Sequence, residues 1–494
     1  MKRLAGADVL VVGGGTAGCV VAARLAASGR STMLLEAGPD LRRALPPGAA
    51  DGWRLPVVPD WGFESQPRGG GAPQRLRRGR LLGGTSWLTR FAVRGAAADF
   101  DAWAAAGNPG WAFDDVLPAF RRLERDVDFG DLAWHGDAGP IPIDRYLDLP
   151  PSGIHAAALE ALAALGFPSV ADHNAPGAVG VGRMPMSTRA GVRVTTADAY
   201  LGHDRHADLT IRADAQVDRV VVVDGRAVGV RLLDGTTLAA DEMILAAGTY
   251  GSPTILMRSG IGPADDLRAT GLGVVVDLPG VGSNLADHPA VDLDSGWHDA
   301  GSAGPIAHSI ATFRSSTAGL GEAPDLMFWA TDPDAADPGF YLDPILLKPH
   351  SRGSVRLRSA DPAAAPLIEL PALREEADIR RLVEGQALGL EMAAHPAIRA
   401  LCRDPIPDRP AGGSAARAAV LENAYSIPHV VGTCAMGPDP AAGAVVDHLG
   451  RVHGVAGLRV IDASIIPEPP SGFPHLITIM LAEHIVARLV DSSS

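Results

Sequence analysis

Three glycines spaced Gly13-x-Gly15-x-x-Gly18 are the first residues in the chain whose pattern could do chemistry. They follow the short apolar run Asp8–Val12 and precede Cys19–Ser28, which is rich in Ala, Val and Leu. That order reads as strand, glycine turn and helix. The first glycine permits a tight turn, the second lets backbone approach a pyrophosphate, and the third lets the helix lie close to the strand. Thr16 and Ala17 stand at the helix N-terminus, where N–H groups and the positive end of the dipole suit phosphate. Gly29 closes the helix, and Thr32–Leu35 reads as a second buried strand. Glu36, followed by Ala37, then falls where a carboxylate accepts hydrogen bonds from a ribose hydroxyl. A βαβ unit of this kind binds a dinucleotide. NAD and FAD share the adenosine diphosphate part, so the unit alone does not choose between them.

The elements that must position such a unit can be read along the rest of the chain. From Gly38 to Arg80 the sequence is turn-rich and without period, with Pro46-Pro47, Trp53, Trp61 and Gly69-Gly70-Gly71, and reads as an extended crossing. Asp99–Ala106, Asp114–Leu123 and His155–Leu165 read as helices. Gln216–Val223 and Ala227–Leu233 flank Asp224-Gly225, a hairpin signal. Met243–Ala247 reads as a further buried strand. Val291 to Glu369 alternates short apolar runs with Pro, Gly and Asp, as an antiparallel sheet would. Ala377–Ala394 reads as a helix, and Leu476–Val490 as an amphipathic one. There is no internal repeat or low-complexity linker, so two domains are expected to interleave. Residues 1–150, 200–290 and 440–494 would form the cofactor domain, and residues 151–199 and 291–439 the substrate domain.

Composition narrows the partners. At 494 residues and 47% hydrophobic content the chain can bury a large core, which excludes disorder and small disulfide scaffolds. Forty-three Lys and Arg against 57 Asp and Glu give a net charge of −14, the wrong sign for nucleic acid or an anionic membrane. Apolar stretches such as Val9–Ala23 and Met243–Met257 contain glycines and stop short of the about 20 residues of a spanning helix, so no integral membrane segment is expected. The first residues enter a strand directly, without an apolar leader. Cys19, Cys402 and Cys434 are an odd, scattered set without a CxxC pair. A reducing cytoplasm is the expectation, and Cys434 reads as a packing residue. No metal is expected, because Asp287-His288 and His203/His206 lack a consistent ligand spacing.

Five separated motifs then carry a resemblance that runs nearly end to end. They are Arg80-Leu81-Leu82-Gly83-Gly84-Thr85-Ser86; Gly248-Thr249-Tyr250-Gly251-Ser252-Pro253 through Ser259-Gly260-Ile261-Gly262; Leu278-Pro279-Gly280-Val281-Gly282-Ser283-Asn284-Leu285-x-Asp287-His288-Pro289; His429-Val430-Val431-Gly432-Thr433-Cys434-x-Met436-Gly437; and Leu458–Ser464. In this order the sequence resembles the GMC (glucose-methanol-choline) oxidoreductases, FAD-dependent enzymes acting mostly on alcohols. The resemblance implies an α/β fold: an FAD-binding Rossmann-like βαβ domain joined to a substrate domain built on an antiparallel sheet with helices. It places His429 and His475 at the active-site positions, Asp462 and Ala463 against the flavin, Val217 by the adenine, and Gly84, Thr85 and Thr89 near the flavin ring. Leu88 stands where some members attach flavin through His, so FAD is expected to be held noncovalently.

The physical reading agrees with those roles. Oxidising an alcohol removes a hydroxyl proton and a hydride from the same carbon. A neutral imidazole can take that proton as flavin N5 takes the hydride, and a second one can orient the oxygen. The expected activity is FAD-dependent alcohol oxidation with His429 as base and His475 assisting. The acceptor is oxygen or another oxidant, and neither the alcohol nor the oligomeric state is legible. Thr89 stands where the family usually has Asn, Phe473-Pro474 where it has Asn-Thr, and Arg90 where a small residue is common. Arg90 is expected to face solvent; turned inward, it would select a polar or anionic substrate. With aromatic residues at 5%, a sugar-stacking platform cannot be assumed. The rival is a flavin-containing lyase of the hydroxynitrile type, using the same histidine as base, or another flavoprotein acting on an acid.

Overall fold

The run Ala7–Val12 forms the centre of a parallel sheet, pairing with Thr32–Leu35 on one side and with Thr237–Leu245 on the other. Leu209–Arg212 adds outside Thr32–Leu35, and Leu458–Val460 adds beside Met243–Leu245, so five parallel strands lie in one sheet. The strands are apolar almost without interruption because both faces are covered; Val9 to Val12 are all buried. Strand order reverses across Ala7–Val12, where Val12 faces Leu35 and Leu245. Ligands of open α/β sheets bind at the carboxyl ends beside such a switch point. The structure is a computed structural model describing residues 7–67, 72–202, 207–293, 295–296, 305, 307–331, 339–371, 373–402 and 409–491. Gly69–Gly71, His203 and His206 lie outside them.

The hairpin Val217–Val223/Arg226–Leu232 continues that sheet antiparallel from the first half of Thr237–Leu245. Asp224 and Gly225 both take positive φ (48° and 73°), the tight turn that the Asp-Gly pair favours. Helix Thr16–Ala27 covers one face and closes against the C-terminal helix Pro474–Asp491. Read from sequence as amphipathic, that last helix is instead buried on nearly all sides from Pro474 to Val486. It runs between Thr16–Ala27 and Phe113–Leu123, so it has no broad solvent face. Its Glu483 is satisfied inside by Arg24 at 2.7 Å, Arg122 at 3.2 Å and the Tyr200 hydroxyl at 2.8 Å.

A second, antiparallel sheet runs in the order Ala424–Val431, Ala286–Val291, Gly339–Leu346, Leu326–Thr331, Ser309–Phe313, Gly180–Arg183, with Ser169–Val170 added parallel at the far edge. Alternation decides which face each residue serves. Leu326, Phe328 and Ala330 pack under helices Glu376–Ala394 and Gly153–Ala164, whereas Met327 and Trp329 point to the opposite face and join Phe91, Tyr425 and Phe473. The chain is thus a mixed α/β protein with a parallel cofactor-type sheet and an antiparallel sheet roofed by helices.

Candidate active site

Each glycine of the turn has a distinct steric reason. A Cβ on Gly18 would lie 1.8 Å from the Gly13 carbonyl oxygen, and one on Gly13 would lie 2.6 Å from that of Ala246. These two let helix and strands close up. A Cβ on Gly15 would meet nothing nearer than the Gly84 Cα at 3.9 Å, because Gly15 faces a cavity. The helix Thr16–Ala27 begins there without a side-chain cap or an acidic first turn, leaving its N–H groups open to that cavity. Gly84 approaches Gly15 so closely that its own Cβ would come 2.7 Å from the Gly15 Cα. The short 3₁₀ segment Gly84–Leu88 is thereby joined to the dinucleotide turn, with Gly83 N–H donating to the Gly14 carbonyl at 2.7 Å.

The cavity, about 1290 Å³, is continuous from this turn to both histidines. It is larger than the several hundred cubic ångströms typical of a drug-sized ligand, as a dinucleotide plus a substrate require. Gly13, Gly15, Thr16, Ala17, Glu36, Ala37, Val217, Gly84, Thr85, Thr89, Asp462, Ala463, His429 and His475 all line it, with Gly84 against Gly15; Gly18 serves from behind. Glu36 accepts the N–H of Gly14 through Oε2 and that of Gly38 through Oε1, both at 2.8 Å, and each oxygen keeps a further lone pair. Burial pushes its carboxyl up to about 7. The Asp462 carboxylate is turned toward protein: it accepts from Gly248 N, Ser252 Oγ and Ser464 N at 2.9, 2.6 and 2.8 Å. Thr89 fixes Arg193 through its carbonyl at 2.7 Å.

His429 sits in a distortion of the sheet. Ala286 pairs with Val431 but His288 pairs with Ile427, so Pro428 to Val430 bulge out of the ladder. Bulges re-aim side chains, and a proline is tolerated there because it has no N–H to lose. The freed N–H of His429 donates to Asp287 Oδ1 at 2.8 Å, as does that of His288, and Ser426 Oγ donates to the other oxygen. His429 is half-buried, 4.9 Å from the Phe473 ring, with its Nδ1 3.2 Å from that of His288. His475 enters the cavity from the first turn of the C-terminal helix, and its buried Nε2 meets no hydrogen-bond partner among the described residues. Burial, with the nearby His288 and Arg78, holds His429 well below the usual imidazole range. Burial, then Arg193, lowers His475 to about 4. Both rings are neutral bases at neutral pH.

Sequence reading missed three features here. Arg90 does not face solvent: it is 3% exposed, with its guanidinium 4.7 Å from the Phe91 ring centre, on the cavity wall. Phe91, Trp329 and Phe473, far apart in sequence, meet at centroid distances of 5.1, 5.1 and 5.8 Å and form an aromatic wall beside His429. The Trp329 indole N–H has no partner among the described residues. Asp287 and His288, considered from sequence only as metal ligands and set aside, hold and touch the central histidine; the motif Asn284-Leu285-x-Asp287-His288-Pro289 was the available signal. Tyr425 also lines the cavity and donates to Asp343, whose carboxyl burial pushes up to about 7.

A phosphate-ready turn at a switch point, sharing one cavity with two neutral imidazoles, is what a flavin-dependent oxidoreductase requires. Comparison with known proteins makes the class specific. Residues 7–290 match the N-terminal part and residues 349–482 the C-terminal part of GMC oxidoreductase, and the chain belongs to that family. It is 37% identical to an uncharacterised GMC-type oxidoreductase of Rhodococcus erythropolis, with 98% of each chain covered. It is 35% identical to 5-(hydroxymethyl)furfural oxidase of Methylovorus sp. (strain MP688), over 98% of this chain and 99% of the relative. Among solved structures, pyridoxine 4-oxidase from Mesorbium loti superposes with a TM-score of 0.89 at 29% identity, covering 98% of this chain and 99% of that one.

The chain is therefore an FAD-dependent oxidoreductase. Its residues fit the cofactor on two observations: the open side of Gly15 with the uncapped helix start, and the orphaned Nε2 of His475 in the same cavity. No helix among the described residues is long and apolar enough to cross a membrane.

Proposed function

We propose that the chain oxidises the CH–OH group of an alcohol carried on an aromatic or heteroaromatic ring, with His429 taking the hydroxyl proton and His475 orienting the oxygen. The observation that carries this reading is that two neutral imidazoles converge on one cavity with the cofactor turn. Bound FAD, held without a covalent link through the hydrocarbon Leu88, supplies the acceptor for the carbon-bound hydrogen and its electron pair, which oxygen or another oxidant then removes. The hydroxyl proton passes to a His429 ring nitrogen, leaving an aldehyde or ketone. The unpartnered Nε2 of His475 gives the substrate oxygen a second contact and limits the directions in which it can lie. Phe91, Trp329 and Phe473 exclude water and offer a flat apolar face to a ring, with the Trp329 N–H and the Arg90 guanidinium as donors beside it. Hydroxymethylfurfural and pyridoxine, named in the relatives above, both carry a hydroxymethyl group on such a ring.

The division into residues 1–150, 200–290 and 440–494 for FAD and 151–199 and 291–439 for substrate belongs to this reading. Every strand of the parallel sheet falls in the first set, and every strand of the antiparallel sheet except Ala286–Val291 falls in the second.

The test is anaerobic mixing of the flavin-loaded protein with hydroxymethylfurfural, benzyl alcohol, ethanol and choline, following loss of the oxidised flavin band. Faster bleaching by the ring-bearing alcohols is expected. His429→Ala should slow it about 10²–10⁴-fold with flavin still bound. Bleaching at the wild-type rate in that variant removes the base assignment, and a flavin that no alcohol bleaches removes alcohol oxidation altogether.

A further inference from the structure

We propose that Arg78 is a positioning residue for His429: its guanidinium holds the peptide unit that carries the base, so that the imidazole meets the substrate hydroxyl in one orientation. The inference rests on the reading of His429 as the base. The Pro428 carbonyl and the His429 N–H belong to one rigid peptide plane. Arg78 Nη2 donates to that carbonyl at 2.8 Å, and Asp287 Oδ1 accepts that N–H at 2.8 Å. One plane is therefore held at both edges, by side chains from distant parts of the sequence.

The bulge explains why side chains are needed there. Where Pro428 to Val430 leave the ladder, backbone groups lose their strand partners. Asp287 takes the N–H of His429, the Thr249 hydroxyl donates to the Val430 carbonyl at 2.9 Å, and Arg78 serves the Pro428 carbonyl. Pro428 itself has φ fixed by its ring. With that ring upstream and both edges of the next peptide tied, the His429 Cα has little room to move.

The guanidinium is itself fixed. The backbone N–H of Arg78 donates to Asp60 Oδ2 at 2.7 Å, its Nη1 donates to the Arg77 carbonyl at 2.7 Å, and the group lies 5.1 Å from the centre of the buried Tyr250 ring. Its rigid fork thus spans two carbonyls, a geometry that an ammonium does not match. Arg78, Pro428 and His429 line the same cavity, so a loosened peptide would shift the ring within the space the alcohol must occupy. Misplacing a reacting group by about 1 Å can cost about 10²-fold in rate.

The test compares flavin-loaded wild type, Arg78→Lys and Arg78→Met by anaerobic stopped-flow at pH 8 and by crystallography. At that pH the buried imidazole is neutral with or without the neighbouring cation, so the rate reads placement. Met keeps an apolar stem against Tyr250 and loses the donors; Lys keeps a donor. Arg78→Met is expected to bind flavin as wild type does, to lower the limiting rate of flavin reduction about 10–10²-fold at unchanged Kd for benzyl alcohol, and to show the His429 ring displaced by more than about 0.5 Å. Arg78→Lys should recover most of the rate. Wild-type reduction by Arg78→Met, or a slow Arg78→Met whose His429 ring has not moved, overturns the proposal. So does a loss carried by a weaker Kd for the alcohol, which would make Arg78 a substrate contact. If Arg78→Met does not hold flavin, crystals of the loaded wild type decide: a guanidinium on the Pro428 carbonyl supports the proposal and one turned away overturns it. His429→Gln separates the two levels: a wild-type rate there sinks the base itself, whereas a slow His429→Gln beside a fast Arg78→Met sinks only the positioning role.

Discussion

The carboxylate of Asp287 accepts the backbone N–H of His429 at 2.8 Å and so replaces the ladder bond lost at the Pro428–Val430 bulge. The same oxygen takes the N–H of His288, and Ser426 Oγ donates to the other. Asp287→Ala strips three donors, two of them buried and that of His429 part-buried, of their partner at up to about 1–3 kcal/mol each, so a loss of several kcal/mol is expected in the urea unfolding free energy of the flavin-loaded protein. Asp287→Asn keeps the Oδ1 acceptor, and the Ser426 hydroxyl can turn to accept, so its loss should be under about 1.5 kcal/mol at pH 5. Burial raises the Asp287 carboxyl to about 7, so its contribution is full below its unfolded value near 4 and is lost as pH rises through 7. The Asn variant should therefore gain on wild type between pH 5 and pH 8. A stability difference that is flat over that range would contradict the assignment.

The histidines shift the other way. An imidazole of ordinary pKa loses its basic form below about pH 6.5. His429 is held well below that by burial, and His288 and His475 are lowered to about 4. The neutral forms thus persist into acid, and the stability they contribute is present above pH 6.5 and lost as pH falls toward 4. The limiting rate of flavin reduction should stay level from pH 8 through pH 6 and drop only below that. An acid limb centred at 6.5 in anaerobic stopped-flow would show that the rings are more hydrated than the structure places them.

The cofactor half of this molecule was legible because its constraints are local. Gly13, Gly15, Gly18 and Glu36 lie within one βαβ unit, where Gly18 closes on Gly13 and Glu36 accepts from Gly14; the approach of Gly13 to Ala246 does need a distant partner. The Asp224-Gly225 turn was legible on the same ground. The substrate half was not. Phe91, Trp329 and Phe473 meet only after the antiparallel sheet has folded, and alternation alone cannot say which face of Leu326–Thr331 will border a cavity. Arg90 carried a charge that pointed to solvent, and its neighbours in sequence do not announce that its guanidinium faces inward, 4.7 Å from the ring of Phe91. The C-terminal helix has a polar stripe that is paired inside with Arg24, Arg122 and Gly110, which sequence periodicity reads as exposure.

The aromatic wall makes substrate preference testable apart from rate. Trp329 meets Phe91 edge-on at 5.1 Å and Phe473 at 5.8 Å, and contacts of that kind contribute about 0.5–1.5 kcal/mol beyond area burial. Trp329→Leu should lower kcat/KM for benzyl alcohol relative to a straight-chain alcohol about 2–10-fold, mostly through KM, because the wall touches the ring and not the reacting bond. An equal loss on both alcohols would show that the tryptophan supports the site as a whole.

The dinucleotide turn offers a contrast between two alanine substitutions three residues apart. Gly15 has negative φ, and an added Cβ meets nothing closer than 3.9 Å, so Gly15→Ala should fold with a melting temperature of the flavin-free protein near that of wild type. Its methyl group, however, projects into the cavity where the backbone must approach pyrophosphate, so flavin affinity should fall about 100-fold or more and the purified protein should lose its yellow colour. In Gly18→Ala the methyl would sit 1.8 Å from the Gly13 carbonyl oxygen, a clash between two backbone segments that neither can relieve by a rotamer change. That variant should lose the helix–strand closure itself and be recovered as aggregated or poorly folded chain, flavin or not. Far-ultraviolet circular dichroism with flavin titration separates the two outcomes. A Gly15→Ala protein that binds FAD as tightly as wild type would show that the cofactor phosphates do not approach that backbone.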